Sequence, residues 1–177
     1  LNESGTDENP DNPRYIRITD FGRDGRLRDE TFRSLPPEVA AGAPLVEGDV
    51  LLARSGATVG KSFLFTDYDG VACYAGYLVK ARAAQYLILP LFLYLYTKSI
   101  SYEAWKNLIF TQATIPNISA TKYAYLEIPI PNLDEQRKIV DYLDGELRKI
   151  ATLEGLIGSQ IATLTAYRKS LIHECVT

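Results

Sequence analysis

The segment Ser55-Gly56-Ala57-Thr58-Val59-Gly60-Lys61-Ser62 carries the densest set of residues able to do chemistry. Its end reads like a phosphate-binding loop, in which backbone amides and a lysine cradle a nucleotide. The spacing fails. The first glycine of such a loop would fall at Ser55, and Gly56 leaves only three residues before Gly60. Phe63-Leu64-Phe65 and an Asp-Gly turn follow, which is the pattern of a strand and not of a helix facing a phosphate. An NTPase reading is set aside, but a broader one survives. Arg54 to Ser62 holds two cations, three hydroxyls and two glycines without one acid. Glycines let N–H groups approach an anion closely, and phosphate contacts in DNA complexes are built from such groups. The plain alternative is a tight hairpin that happens to be basic, and the segment alone does not exclude it.

A second basic concentration is Arg14, Arg17, Arg23, Arg26, Arg28 and Arg33, set against Asp20, Asp24, Asp29 and Glu30. Six arginines and no lysine suit planar, bidentate recognition of phosphate or guanine. The interleaved acids argue equally for local salt bridges. Phe110 to Asn117 is an uncharged, amide-bearing turn, in which Gln112 could read adenine or cap the turn. No catalytic set emerges: His173 lies near the chain end, far from any nucleophile, and no carboxylate pair is marked out. One His and two distant cysteines, Cys73 and Cys175, argue against a zinc site and for a reduced, cytoplasmic protein.

These groups need a scaffold, and the 177 residues suffice for one packed domain with an appendage. No run reaches the ~20 apolar residues of a membrane span, and the polar, acidic start is no signal peptide. The chain begins at Leu1, not Met, and is expected to be part of a longer polypeptide. After a polar lead-in, strands are predicted over 14–18, 50–53, 62–65 and 71–79. A helix is predicted from Pro90 to about Leu108, and a return to strand near Tyr125. Ile128-Pro129-Ile130-Pro131 then closes the globular part, because prolines at that spacing cannot continue a ladder.

Asn132-Leu133-Asp134-Glu135 is a capping box that opens a last helix of about 40 residues, roughly 60 Å long. Leu143, Ile150, Ile157, Leu164 and Leu171 recur at a spacing of seven, with Leu147 and Ile161 on a flanking line that Glu154 and Arg168 interrupt. Such a helix cannot be buried lengthwise on so small a domain and wants a partner helix. The expected fold class is α+β: a strand-rich mixed domain over 1–131, then one long coiled-coil helix over 132–177.

Several blocks in one order resemble the target recognition domain of type I restriction-modification specificity subunits. They are Tyr15-Ile16-Arg17-Ile18-Thr19-Asp20, Glu47 to Lys61, and Ala75-Gly76-Tyr77-Leu78-Val79. Thr114 to Tyr123 and Ile128 to Val140 continue the match, ahead of the long helix and a terminal Leu171 to Thr177. The resemblance implies a non-catalytic subunit whose recognition domain reads half of a bipartite target in double-stranded DNA. It implies partners: modification subunits that bind S-adenosylmethionine and methylate adenine, and an ATP-driven motor-nuclease subunit. The chain itself would hold no cofactor and no metal. Arg54, Ser55, Thr58 and Lys61 are expected near DNA, with Arg17, Tyr77 and Gln112 as further candidates. Base readers vary between relatives, so Gly22 to Pro44 and Ser99 to Gln112 are where further ones are to be sought.

A full specificity subunit has two recognition domains and two helices, whereas one of each is found here. A half-subunit or a fragment is therefore expected, the former dimerising through its helix to read a palindromic target. Two antiparallel ~60 Å helices could hold domains several tens of ångströms apart, against ~34 Å per DNA turn. The alternative is a coiled-coil oligomerisation module that binds no DNA. Charge constrains both readings: 1–131 carries 13 basic against 15 acidic residues, and 132–177 carries 6 against 7. That excludes a nonspecific polycation but not a reader working through a few placed cations.

Overall fold

In the computed structural model, which describes residues 1, 6–22, 25–56, 58–111 and 117–176, the chain divides into two units, Leu1–Gln136 and Arg137–Thr177. The expected break at 131/132 lies at the mouth of the last helix, whose first turn belongs to the globular unit.

Strand β1 (Arg14–Ile16) pairs in parallel with β4 (Ala72–Tyr74), Tyr15 opposite Cys73. A second sheet has the order β3-β2-β5, with β2 (Val50–Ala53) antiparallel to both β3 (Ser62–Leu64) and β5 (Leu78–Ala81). β2 is buried on both faces. Leu51 and Ala53 enter one core with Tyr15, Phe21, Phe63 and Leu78, while Val50 and Leu52 enter another with Tyr102, Ile118 and Tyr123. This two-sided burial is why the strand reads as an unbroken apolar run. Phe21 stacks on Phe63 at 4.7 Å in the first core. Cys73 lies there too, and burial pushes its thiol up to about 11.

Four local expectations need correction. The run 71–79 is two strands in two sheets, because Ala75 O accepts from Leu78 N and turns the chain between β4 and β5. The single helix predicted from Pro90 is two: α2 (Pro90–Tyr96) and α3 (Ile100–Thr111), which follow the four-residue α1 (Pro37–Ala40). Ser99 Oγ accepts from Tyr102 N at 3.2 Å and caps a new first turn. No strand forms near Tyr125. Ser119 Oγ accepts from Lys122 N and starts the short α4 (Ala120–Ala124), after which Pro129 and Pro131 deny residues 126–132 a ladder. β1 also stops at Ile16, where Asp20 Oδ2 accepts from Arg17 N at 2.6 Å and bends Ile18–Asp20 into a 3-10 turn.

α5 spans Leu133–Val176. Asn132 Oδ1 accepts from Glu135 N at 3.0 Å, the cap expected from the sequence. Within 137–176 the heptad side chains Ile150, Ile157, Leu164 and Leu171 are exposed, as are Leu147 and Ile161. Surface pairs such as Arg148–Asp144 at 2.7 Å support the helix alone. Among the described residues, no helix is long and apolar enough to cross a membrane.

Candidate nucleic-acid interface

The turn between β2 and β3 is fixed from inside. Ala53 O accepts from Gly60 N at 2.8 Å and from the Tyr123 hydroxyl at 2.9 Å, and Gly60 O accepts from the Tyr102 hydroxyl at 2.8 Å. Both phenols are buried, which pushes Tyr102 up to about 12 and raises Tyr123 further, so both remain proton donors. Lys61 N donates to Thr58 O and Val59 N to Gly56 O, closing the turn on itself. With its carbonyls tied down, the turn presents hydroxyls and a lysine on a rigid frame.

Two glycines make the path possible, with φ of +88° at Gly56 and +82° at Gly60. A Cβ on Gly60 would also sit 2.3 Å from Lys106 Cδ, whereas one on Gly56 would meet open space. Gly60→Ala is therefore expected to cost about 1–2 kcal/mol for the left-handed backbone, and to push the Lys106 stem aside as well. Urea denaturation should show a larger loss for Gly60→Ala than for Gly56→Ala, where backbone strain acts alone.

Ser55, Gly56, Thr58 and Lys61 form one side of a cleft of about 470 Å³. Ile18, Thr19, Phe21 and Arg28 supply more of its lining, and Tyr77 completes it. Four of the sequence-predicted residues, Ser55, Thr58, Lys61 and Tyr77, are thus brought together. Arg54 is not among the lining residues. Its backbone continues the sheet, with Arg54 N donating to Tyr77 O and Ile118 N to Arg54 O. Arg17 pairs with Asp20 and donates to Thr31 O at 2.6 Å, which holds the bend after β1. Gln112 lies outside the described residues.

Arg28 is the site residue that the sequence reading did not single out. Its flanking Asp29 and Glu30 pointed to local neutralisation, yet Asp29 pairs with Arg14 instead, at 3.5 Å. Among the described residues, neither Arg28 nor Lys61 is paired with a carboxylate. The cleft thus joins two free cations and four hydroxyls to an apolar floor, which suits an anion attached to a flat ring system. No group of three or more His, Cys, Asp or Glu that could hold a metal occurs among the described residues.

A family profile described as the type I restriction modification DNA specificity domain matches residues 8–159. The chain belongs to this family. Two solved structures share the fold of this specificity domain. One comes from a study of complex assembly and conformational transition in a type I R-M system, with 24% identity and a TM-score of 0.68 over 86% of this chain and 35% of that one. The other is the HsdS subunit from Thermoanaerobacter tengcongensis, with 24% identity and a TM-score of 0.60 over 85% of this chain and 34% of that one. The specificity domain therefore spans about a third of the length of these two chains. No curated protein matches this chain.

Proposed function

We propose that this chain is the DNA-reading part of a type I restriction-modification specificity subunit, binding one half of a bipartite target through the cleft beside the 54–61 turn. The convergence of Arg28, Lys61, Ser55 and Thr58 on one rigid surface with Ile18 and Phe21 carries the reading. Cations and hydroxyls there fix the phosphate backbone, while apolar and polar groups on the same floor face base edges. Arg54, Arg17 and Gln112 stay in the proposed DNA-facing set. The chain does no chemistry of its own and needs neither cofactor nor metal. Modification subunits supply S-adenosylmethionine and adenine methylation, and a motor-nuclease subunit uses ATP and cuts unmodified DNA. The assembly acts in the cytoplasm.

Two experiments test this. The chain is mixed with a cognate modification subunit and labelled S-adenosylmethionine, and methylated adenines are mapped on plasmid DNA. Methylation confined to one short motif is expected, and a soluble complex without site-restricted methylation would overturn the proposal. For the chain alone, DNA retention should fall steeply between 50 and 200 mM salt. Lys61→Ala and Arg28→Ala, which remove phosphate contacts, should each flatten the salt slope by about 1. The exposed apolar line on α5 favours a second reading, an oligomerisation module, which predicts no DNA retention at any salt.

A further inference from the structure

The molecule has a second basic concavity, of about 500 Å³, and it shares Thr58 and Lys61 with the first. Its other charged and hydroxyl groups, Ser62, Thr97, Lys98, Glu103 and Lys106, come largely from the junction of α2 and α3. The two cavities differ in kind. The first has Ile18, Phe21 and Tyr77 in its lining, while the second contains no ring and is lined by cations and hydroxyls around a single acid.

Its lysines are built in. Glu103 pairs with Lys106 at 2.6 Å, so the other two cations face each other without an acid of their own. Lys106 is only 16% exposed, and its stem runs against Gly60 of the DNA-facing turn. Lys98 is exposed as a residue, but its ammonium is held in place, donating to Ser62 O at 3.2 Å and lying 4.6 Å from the Tyr94 ring. That shielding, and next the charge of Lys61, hold Lys98 below the usual lysine range. Three lysines around one carboxylate leave two positive charges unanswered. A bound polyanion would relieve that repulsion.

We infer that the groove of Lys61, Lys98 and Lys106 is a phosphate track that carries the DNA backbone past the reading cleft onto the α2–α3 junction. The inference rests on the proposed DNA-reading function and adds a division of labour within it. The ring-lined cleft discriminates sequence, and the groove grips the backbone without discriminating. Lys61, on the shared rim, belongs to both.

The test uses the full chain, a labelled mixed-sequence 40-bp duplex and fluorescence anisotropy across 50–200 mM salt. Lys98→Gln and Lys106→Gln should each lower the slope of log K on log salt by about 1 and weaken binding several-fold, with equal loss on unrelated duplexes. Glu103→Gln should tighten binding and steepen the slope, a gain that a folding defect does not produce. Lys169→Gln on α5 serves as the control and should leave the slope unchanged. Wild-type binding that Lys98→Gln, Lys106→Gln and Glu103→Gln all leave unaltered would overturn the track while leaving the reading cleft standing. So would losses confined to one duplex sequence, which would make these lysines base readers. A wild-type chain that binds no duplex at low salt would overturn the function itself, and the track with it.

Discussion

Gln136→Leu is expected to destabilise the globular unit by about 3 kcal/mol. Gln136 is fully buried, and its amide is satisfied on both ends. Oε1 accepts from Leu89 N at 2.8 Å, and Nε2 donates to Leu87 O and Pro131 O, each at 2.8 Å. It therefore ties the start of α5 to the segment that leads into α2. Leucine nearly conserves the volume, so little cavity forms, but one donor and two acceptors of the backbone lose their partner. Each such group costs about 1–3 kcal/mol when left dry, and slight relaxation toward solvent reduces the sum. For a unit of this size that corresponds to a melting temperature lower by about 10 °C, read by calorimetry. Gln136→Glu separates packing from polarity. An ionised carboxylate can accept from Leu89 N but donates to neither carbonyl, so burial and those carbonyls raise its pKa in the folded state. The protonated form regains one donor. Its deficit relative to wild type should thus shrink as pH falls and grow as pH rises. An equal, pH-independent loss in both variants would show that the amide's hydrogen bonds are not what matters.

Gln136 also marks the limit of what the sequence made legible. It stands in a block rich in charge and reads as one more polar residue of a helical first turn. Two of its three partners lie 47 and 49 residues earlier, and no local pattern reveals them. Tyr102 and Tyr123 are hidden for the same reason, since their hydroxyls reach carbonyls 42 and 70 residues away. Local chemistry, by contrast, was readable. Arg54 to Ser62 stood out because it lacks any acid, and the structure places Ser55, Thr58 and Lys61 on one cleft. Asn132 announced the start of α5, and the spacing of seven announced its length. Arg17 and Arg28 belong to one arginine-rich stretch, and of the two only Arg17, in the block Tyr15 to Asp20, is expected near DNA from the sequence. Only the fold shows that Asp20 takes Arg17 and that Asp29 takes Arg14, leaving Arg28 for the cleft. The α2–α3 break was missed because Ser99 acts as a cap only once the chain has already turned.

Ile157→Lys combined with Leu164→Lys is expected to abolish self-association of the chain, which we propose occurs through α5. Ile157 is 54% exposed and Leu164 66% exposed, and both lie on the line that Leu143, Ile150 and Leu171 extend. A 44-residue helix is about 66 Å long, and a row of half-bare aliphatic side chains along it is stabilised only by a covering surface. A second copy supplies such a surface with matched period, and in antiparallel register it meets the stripe with the same stripe. Burying the exposed remainder of each side chain contributes about 1 kcal/mol. The double variant loses four of these per dimer and sets four ammonium groups against an apolar seam. Together these should weaken association by roughly 10³-fold or more, to a monomer in sedimentation velocity at micromolar concentration. The globular unit should melt unchanged, since neither side chain belongs to its core. Arg148→Ala, which removes only the surface pair with Asp144, should leave the association within a few-fold of wild type. A double variant that still associates as wild type would move the seam off this stripe. A wild-type chain that stays monomeric would leave the stripe for a different helix, that of a modification subunit or of a second recognition domain.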